Sequence, residues 1–245
     1  DDTVLLVELE AADPVAAERA LRFVLACDEP IDGLLDVARA DPVLGPVVRR
    51  TPGLRALRVE TIAHAALRAF AGQLIAYEDA LRIERRVLQL AVGPGLAPSP
   101  TAKQLLALGP ARIAACGLAP RRAEALTALL RGLDLERLRD VAPERAATRL
   151  LRERHVGPWS VGVMGLHGYG WHDVGLVGDL NLMRLAGALA GREAVVADTE
   201  ELLAPYAPWR GLASLHLMRH PLARRMPPRR FERLTPAFGG LCSIH

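Results

Sequence analysis

The sequence predicts a mainly α protein built as a helical array with short connections, and three observations carry that prediction. From residue 30 onward nearly every segment has helical periodicity, and Pro and Gly punctuate the joins at "RRTPGLR", "VGPGLAPSPT", "LGPA", "CGLAPRR", "APER" and "YAPWRG". Only residues 3–10, "TVLLVELE", read as a strand, and one strand cannot stand alone. The 245 residues, 51% of them hydrophobic, suffice for one large domain or two small lobes with a sizeable core.

Taken in order, the strand must pair with chain upstream or be an edge remnant of a small sheet; without an initiator methionine, the start reads as truncated. Asp13 as N-cap and Pro14 at the first helical position then open a helix to about Cys27. Residues 60–86 read as a further helix, in which Ile62, Ala66, Ala69, Gln73, Ala76 and Ala80 recur at spacings of three and four. This places Gln73 on a small, close-packing stripe beside Leu74, where a polar side chain needs a partner. Either it ties down a loop carbonyl or it faces a cleft or ligand, and periodicity favours the first.

The stretch "RHVGPWSVGVMGL", residues 154–166, reads as the end of one helix, a tight turn centred on Gly157 and a new helix opening at Pro158. Two helices joined this way form a helix-hairpin-helix, whose turn points backbone N–H groups outward where partial positive charge suits a phosphate oxygen. Beyond it, "HGYGWHDVGLVGD" is too rich in glycine to continue the helix, and "DLNLMRLAGALAG" is a helix with Asp179 at its mouth. An aspartate there is first an N-cap, worth about 1 kcal/mol. Facing a cleft, it is also a carboxylate able to stabilise developing positive charge or polarise water.

Composition narrows the chemistry. No apolar run approaches the roughly 18 residues of a membrane span, and the acidic start lacks the basic flank of a signal peptide, so a cytoplasmic protein is expected. Cys27, Cys116 and Cys242 are scattered and read as inert buried thiols. Arg219, Arg224, Arg225, Arg229, Arg230 and Arg233 form a basic run, either a phosphate-binding tail or a solvated one. Lys103 is the only lysine. There is no GK[ST] phosphate loop, no G-x-S-x-G elbow and no H-E-x-x-H, and His167 and His172 read as surface or packing groups.

These residues carry a resemblance. The hairpin, glycine-rich loop and aspartate resemble those of the helix-hairpin-helix DNA glycosylase superfamily, and the flanks resemble its alkylated-purine branch, the 3-methyladenine DNA glycosylases of AlkA type. "AFAGQLIAYEDAL" is similar to the family's wedge-bearing helix and loop, "LGPARIAACGLAPRRAEALTALLRG" to the segment leading to the hairpin, and "YAPWRGLASLHLM" to its final helix. The similarity runs in consistent order over residues 30–220. It implies two helical lobes with a cleft between them over residues 30–245, preceded at 1–29 by a strand and helix left from a truncated β domain.

Carried over by position, the resemblance makes Asp179 the catalytic carboxylate and Leu74 the wedge that fills the gap left by a flipped nucleotide, and it implies that Gln73 beside it faces the DNA as well. It puts His155, Val156, Gly157, Trp159 and Ser160 at the DNA backbone, and Trp159, Val163, Trp209 and Met218 around the base pocket. A sodium or potassium ion at turn carbonyls near His155 and Gly157 is implied, and no other cofactor. Three departures stand out. His155 replaces the usual first glycine of the hairpin, Gly157 being expected to keep the tightest position, and Val163 and Met218 replace pocket aromatics.

The expected activity is excision of damaged, chiefly alkylated, purines from double-stranded DNA in base excision repair, by a monomer working at the nucleoid. Trp159 stands where strand-cleaving relatives carry a lysine nucleophile, and a Schiff-base lyase step needs an amine, so a monofunctional hydrolase leaving an abasic site is expected. The alternatives are a non-catalytic DNA-binding or damage-sensing module and a glycosylase for oxidised or mispaired bases.

Overall fold

The computed structural model describes residues 6–29, 31–94 and 98–224, and among these it forms thirteen α-helices and no strand. The helical array expected from the sequence is therefore present. The described part of "TVLLVELE" is extended but unpaired, with Leu6, Val7 and Leu9 exposed. A strand needs a neighbouring backbone to accept its hydrogen bonds, and no described segment offers one.

Helix α1 (Pro14–Leu25) starts as read: the Asp13 carboxylate accepts from the Ala16 amide at 3.0 Å, and Pro14 holds the first position. It stops two residues early, because Ala26 turns left-handed at φ 53°. That leaves Cys27 exposed, contrary to the reading of buried thiols, whereas Cys116 is buried and burial pushes its thiol pKa up. Cys242 and most of the basic run lie outside the described residues.

α2 (Asp32–Ala40) and α3 (Gly45–Arg50) lead to α4 (Ile62–Gly72), the centre of the molecule, with nine of its eleven residues buried. The helix expected over residues 60–86 is in fact two. α4 ends at Gly72, Gln73 is extended, Leu74 is left-handed at φ 56°, and α5 (Tyr77–Val92) begins afresh. Small residues on both sides of the break kept the same spacing, so periodicity ran through a turn that it cannot detect. α6 (Ala102–Ala115) is broken at Gly109, φ 72°, before Pro110, and α7 (Pro120–Gly132) follows.

α8 (Pro143–Leu150) and α9 (Pro158–Met164) flank the hairpin, and α10 (Leu180–Ala190), α11 (Val196–Leu203), α12 (Arg210–Leu217) and α13 (Pro221–Arg224) complete the chain. The glycine-rich stretch departs from expectation. α9 runs on through a π-helical turn, Gly165–Tyr169, whose residues Gly165, Leu166, Gly168 and Tyr169 are buried, and the loop begins only at Gly170. Tight packing replaces the solvation that a glycine-rich loop usually needs.

α4 packs against α5, α7 and α9, and α5, α6 and α7 stack in succession. α10 packs against α11, α12 and α13, while α12 meets α3. One apolar core, from Leu34 to Ala223, runs through both groups of helices. Side chains such as Phe70 and Leu67, fully buried on α4, each contribute about 1.5–3 kcal/mol.

One buried polar cluster joins the helices flanking the Gln73–Ala76 break. Glu84 of α5 is 5% exposed and accepts from Arg68 Nη2 of α4 at 2.9 Å, with His64 Nε2 of α4 at 2.8 Å. Burial alone would raise the pKa of Glu84, but the hydrogen bonds and charge supplied by His64 and Arg68 outweigh it and hold the carboxyl below the ordinary range. His64 Nδ1 in turn meets Ser99 Oγ at 2.9 Å, so all of this hardware is fixed from behind.

Candidate active site

Asp179 is placed by its loop before it is placed by its helix. Ser214 of α12 accepts from the Leu176 amide at 3.1 Å, and Thr199 of α11 accepts from the Gly178 amide at 2.9 Å; both hydroxyl residues are buried. Gly178 takes φ 83°, a left-handed conformation that an L side chain resists, and this turns the chain into α10. Asp179 Oδ1 then accepts from the amides of Asn181 at 2.8 Å and Leu182 at 3.4 Å, as an N-cap.

Its other oxygen does something the sequence did not announce. Oδ2 accepts from the indole Nε1 of Trp159 at 3.0 Å, which joins the carboxylate to the first turn of α9. Asp179 is only 8% exposed, and burial raises its pKa against the lowering influence of Trp159, the two amides and Arg184. The site thus holds a carboxylate with three hydrogen-bond donors and little water, an arrangement suited to stabilising nearby positive charge.

The hairpin follows the sequence in outline. α8 ends at Leu150, Gly157 is the N-cap of α9 and Pro158 its first residue. The tightest position, however, is His155 and not Gly157. His155 is left-handed at φ 63°, whereas Gly157 sits at φ −100°, ψ 178°, open to any residue, with no heavy atom within 4 Å of where a Cβ would be. The departure from glycine therefore falls where it is most strained. His155→Gly is expected to stabilise the fold by about 0.5–1 kcal/mol, the relief of left-handed strain exceeding the added chain entropy. Thermal unfolding should show a Tm rise of roughly 1–4 °C.

Other hairpin positions are sorted by their partners. The Val156 amide donates to the Glu153 carbonyl at 3.2 Å and the side chain is buried, so this N–H is engaged internally instead of facing a phosphate. Trp159 and Ser160 lie in the first turn of α9, where amides lack carbonyl partners within the helix. The two carbonyls expected to hold a monovalent ion are both engaged: His155 O accepts from Gln73 Nε2 at 3.0 Å and Gly157 O from the Val161 amide at 3.0 Å. Each of these carbonyls keeps a second lone pair. Among the described residues no group of three His, Cys, Asp or Glu side chains gathers for a metal.

Gln73 ties down a loop carbonyl, the first of its two readings. Nε2 donates to His155 O and to the buried Ser160 Oγ, each at 3.0 Å. Leu74, next along, is 56% exposed on its left-handed backbone. Gly72 closes the other side of the contact, since a Cβ there would lie 2.8 Å from Cη2 of the Trp159 ring. The structure thus brings together Gln73, His155, Trp159, Ser160 and Asp179, with Leu74 projecting beside them.

The remaining pocket candidates pack against the core to different degrees. Val163, one turn beyond Trp159, is buried, and Met218 is half-buried against the core at the end of α12. Trp209 lies over Gly33 of α2, with its ring 5.7 Å from that of His172, and Trp171 stacks on Tyr169 at 4.3 Å. His172 pairs with buried Glu29, and His167 Nδ1 meets the Leu57 carbonyl at 2.7 Å, so both histidines serve packing. No helix among the described residues is long and apolar enough to cross a membrane.

No family model matches the chain. Two curated sequences do, both the probable bifunctional transcriptional activator/DNA repair enzyme AlkA of Mycobacterium tuberculosis, from strains CDC 1551 / Oshkosh and ATCC 25618 / H37Rv. Each is 30% identical over 234 residues, covering 91% of this chain and 47% of the relative, so the chain spans about half the length of the curated relatives it matches. Among solved structures, the 3-methyladenine DNA glycosylase of Archaeoglobus fulgidus matches with a TM-score of 0.73 at 20% identity, over 86% of this chain and 75% of that one. The Clostridium acetobutylicum 8-oxoguanine glycosylase/lyase, in complex with double-stranded DNA containing cytosine opposite 8-oxoguanine, matches with a TM-score of 0.70 at 15% identity, over 82% and 73%. The hairpin and capped aspartate thus stand in a fold shared with both glycosylases, and over 91% of its length this chain is similar in sequence to the DNA repair enzyme AlkA.

Proposed function

We propose that the chain is a monofunctional DNA N-glycosylase that excises damaged purines, chiefly alkylated ones, from double-stranded DNA in base excision repair. The observation that carries this reading is the bond between Trp159 Nε1 and Asp179 Oδ2, because it fastens a buried carboxylate to the helix whose first turn faces the DNA backbone. Reaching a base requires removing it from the stack, which costs a few kcal/mol and least for a damaged base. Leu74 fills the vacancy, and the hairpin grips the backbone beside it.

In the reaction, the C1′–N bond breaks with its electron pair leaving on the purine nitrogen, and this neutralises the positive charge that alkylation placed on the ring. Positive charge develops on the sugar, ionised Asp179 stabilises it, and a water oxygen bonds to C1′ while the carboxylate accepts the water's proton. Asp179 must be ionised to act, and its raised pKa places the acid limb of the pH–rate profile above the ordinary carboxylate range. Trp159→Phe removes one donor that lowers this pKa, so the acid limb is expected to move to higher pH. An unmoved limb would remove the indole from this role.

Strand cleavage is the step the site lacks. Lys103, the only lysine, is exposed in the first turn of α6, which packs on α4, α5 and α7, while Trp159 occupies the hairpin position where a nucleophilic amine would stand. A methylated duplex incubated with the protein should remain intact until alkali opens its abasic sites, and borohydride should trap no covalent adduct. Cleavage without alkali, or an adduct at Lys103, would overturn the monofunctional reading. The fold shared with an 8-oxoguanine glycosylase/lyase supports excision of oxidised bases as the second reading of the substrate.

A further inference from the structure

We propose that Gln73 is a positioning residue that couples the wedge to the hairpin, an inference that rests on the base-flipping reading above. Its carboxamide has two hydrogens, and both are used: one goes to the backbone carbonyl of His155 and the other to Ser160 Oγ. The bonds cross 82 and 87 residues of sequence and connect the end of α4 to both sides of the hairpin turn. With both N–H groups engaged, the amide nitrogen is a brace between two protein segments and has no donor left for a base or phosphate.

The coupling matters because of what stands next to it. Leu74 is a large apolar side chain left in water, on a left-handed backbone that costs about 1–2 kcal/mol for a non-glycine residue. A loop held in such a conformation reverts unless neighbours hold it. Gln73 holds it on one side and anchors it to a segment that is itself strained, since His155 is also left-handed. Gly72 lets the Trp159 ring close against the end of α4, so the wedge loop, the hairpin and Trp159 form one contact. Gripping the DNA backbone at the hairpin therefore fixes where Leu74 enters the duplex, and the two events act as one.

The test is a double-mutant cycle on base flipping, with no requirement for base release. Wild type, Gln73→Leu, Leu74→Ala and the double variant are titrated onto a duplex carrying 2-aminopurine beside a mismatch, and the fluorescence rise on unstacking is read alongside affinity for undamaged DNA. Gln73→Leu is expected to lower the flipped population roughly tenfold and to change undamaged-DNA affinity less than about twofold, while Leu74→Ala has little further effect in the Gln73→Leu background. Ser160→Ala, which removes one of the two bonds, should shift flipping in the same direction by less, and unfolding midpoints confirm that each variant folds. Additive effects of Gln73→Leu and Leu74→Ala would overturn the coupling, and so would an equal loss of affinity for undamaged DNA, which marks a direct DNA contact. If the wild type flips and shows the coupling but releases no base, Gln73 keeps its role and the glycosylase reading fails instead.

Discussion

Asp179→Asn is expected to reduce base release roughly 100- to 1,000-fold while leaving DNA affinity within about twofold, because it removes transition-state stabilisation and little ground-state binding. The substitution keeps an N-cap side chain, so α10 still has a partner for its first amides. Its effect on stability follows from the raised pKa of Asp179. Folded protein holds that proton more tightly than unfolded protein, so the ionised group costs stability above the folded pKa, and protonation favours folding as pH falls through it. The wild type should therefore gain stability relative to the Asp179→Asn variant on acidification. On the proposed function, activity and stability are opposed at this residue: the charge needed for chemistry is one that the buried site disfavours. Parallel kinetics and pH-dependent unfolding of the two proteins check both halves.

Glu84→Ala should give the largest loss of stability, about 3–5 kcal/mol, by stranding His64 and Arg68 around a buried site without their carboxylate. In a protein of this size that lowers Tm by roughly 6–20 °C. The pH dependence has the opposite sign to that of Asp179. The folded pKa of Glu84 is depressed, so its contribution is present above the unfolded carboxylate value and is lost as pH falls through the folded one. The gap between wild type and variant is then widest at neutral pH and narrows in acid. Because His64, Arg68 and Glu84 join α4 to α5 across the wedge loop, a variant still folded should also lose part of its flipping activity.

What could be read in the sequence was whatever depends on residues close together. Asp13 with Pro14, Gly157 with Pro158 and Asp179 ahead of "LNLMRLAGALA" each carry a cap or a fixed φ, and each opens a helix in the structure. Periodicity could not find the break at Gln73–Ala76, because an αL leucine has no signature and alanines continued the helical spacing across it, and only the resemblance of "AFAGQLIAYEDAL" to a helix and loop pointed there. The Gly165–Tyr169 turn was missed for the reverse reason: glycines that usually signal a solvated loop are here buried by their neighbours.

At the site, the identities of Asp179, Trp159, Gln73 and Leu74 came from motif position, but their relations came only from the fold. Trp159 was read as a DNA and pocket residue, and its indole donor proves to meet Asp179. Gln73 and His155 lie 82 residues apart, and nothing local tells a glutamine which carbonyl it will meet. Glu84 was not singled out in the sequence, because its two partners on α4 are brought to it only by the fold.

Mass spectrometry of the bases freed from methylated genomic DNA puts the central claim to its most direct test. Wild-type protein should liberate alkylated purines, and Asp179→Asn should liberate almost none while still binding the DNA. Undiminished release by that variant would remove Asp179 from the chemistry, and no release by wild type from methylated, ethylated or deaminated DNA that it nonetheless binds would make the chain a recognition module in place of an enzyme.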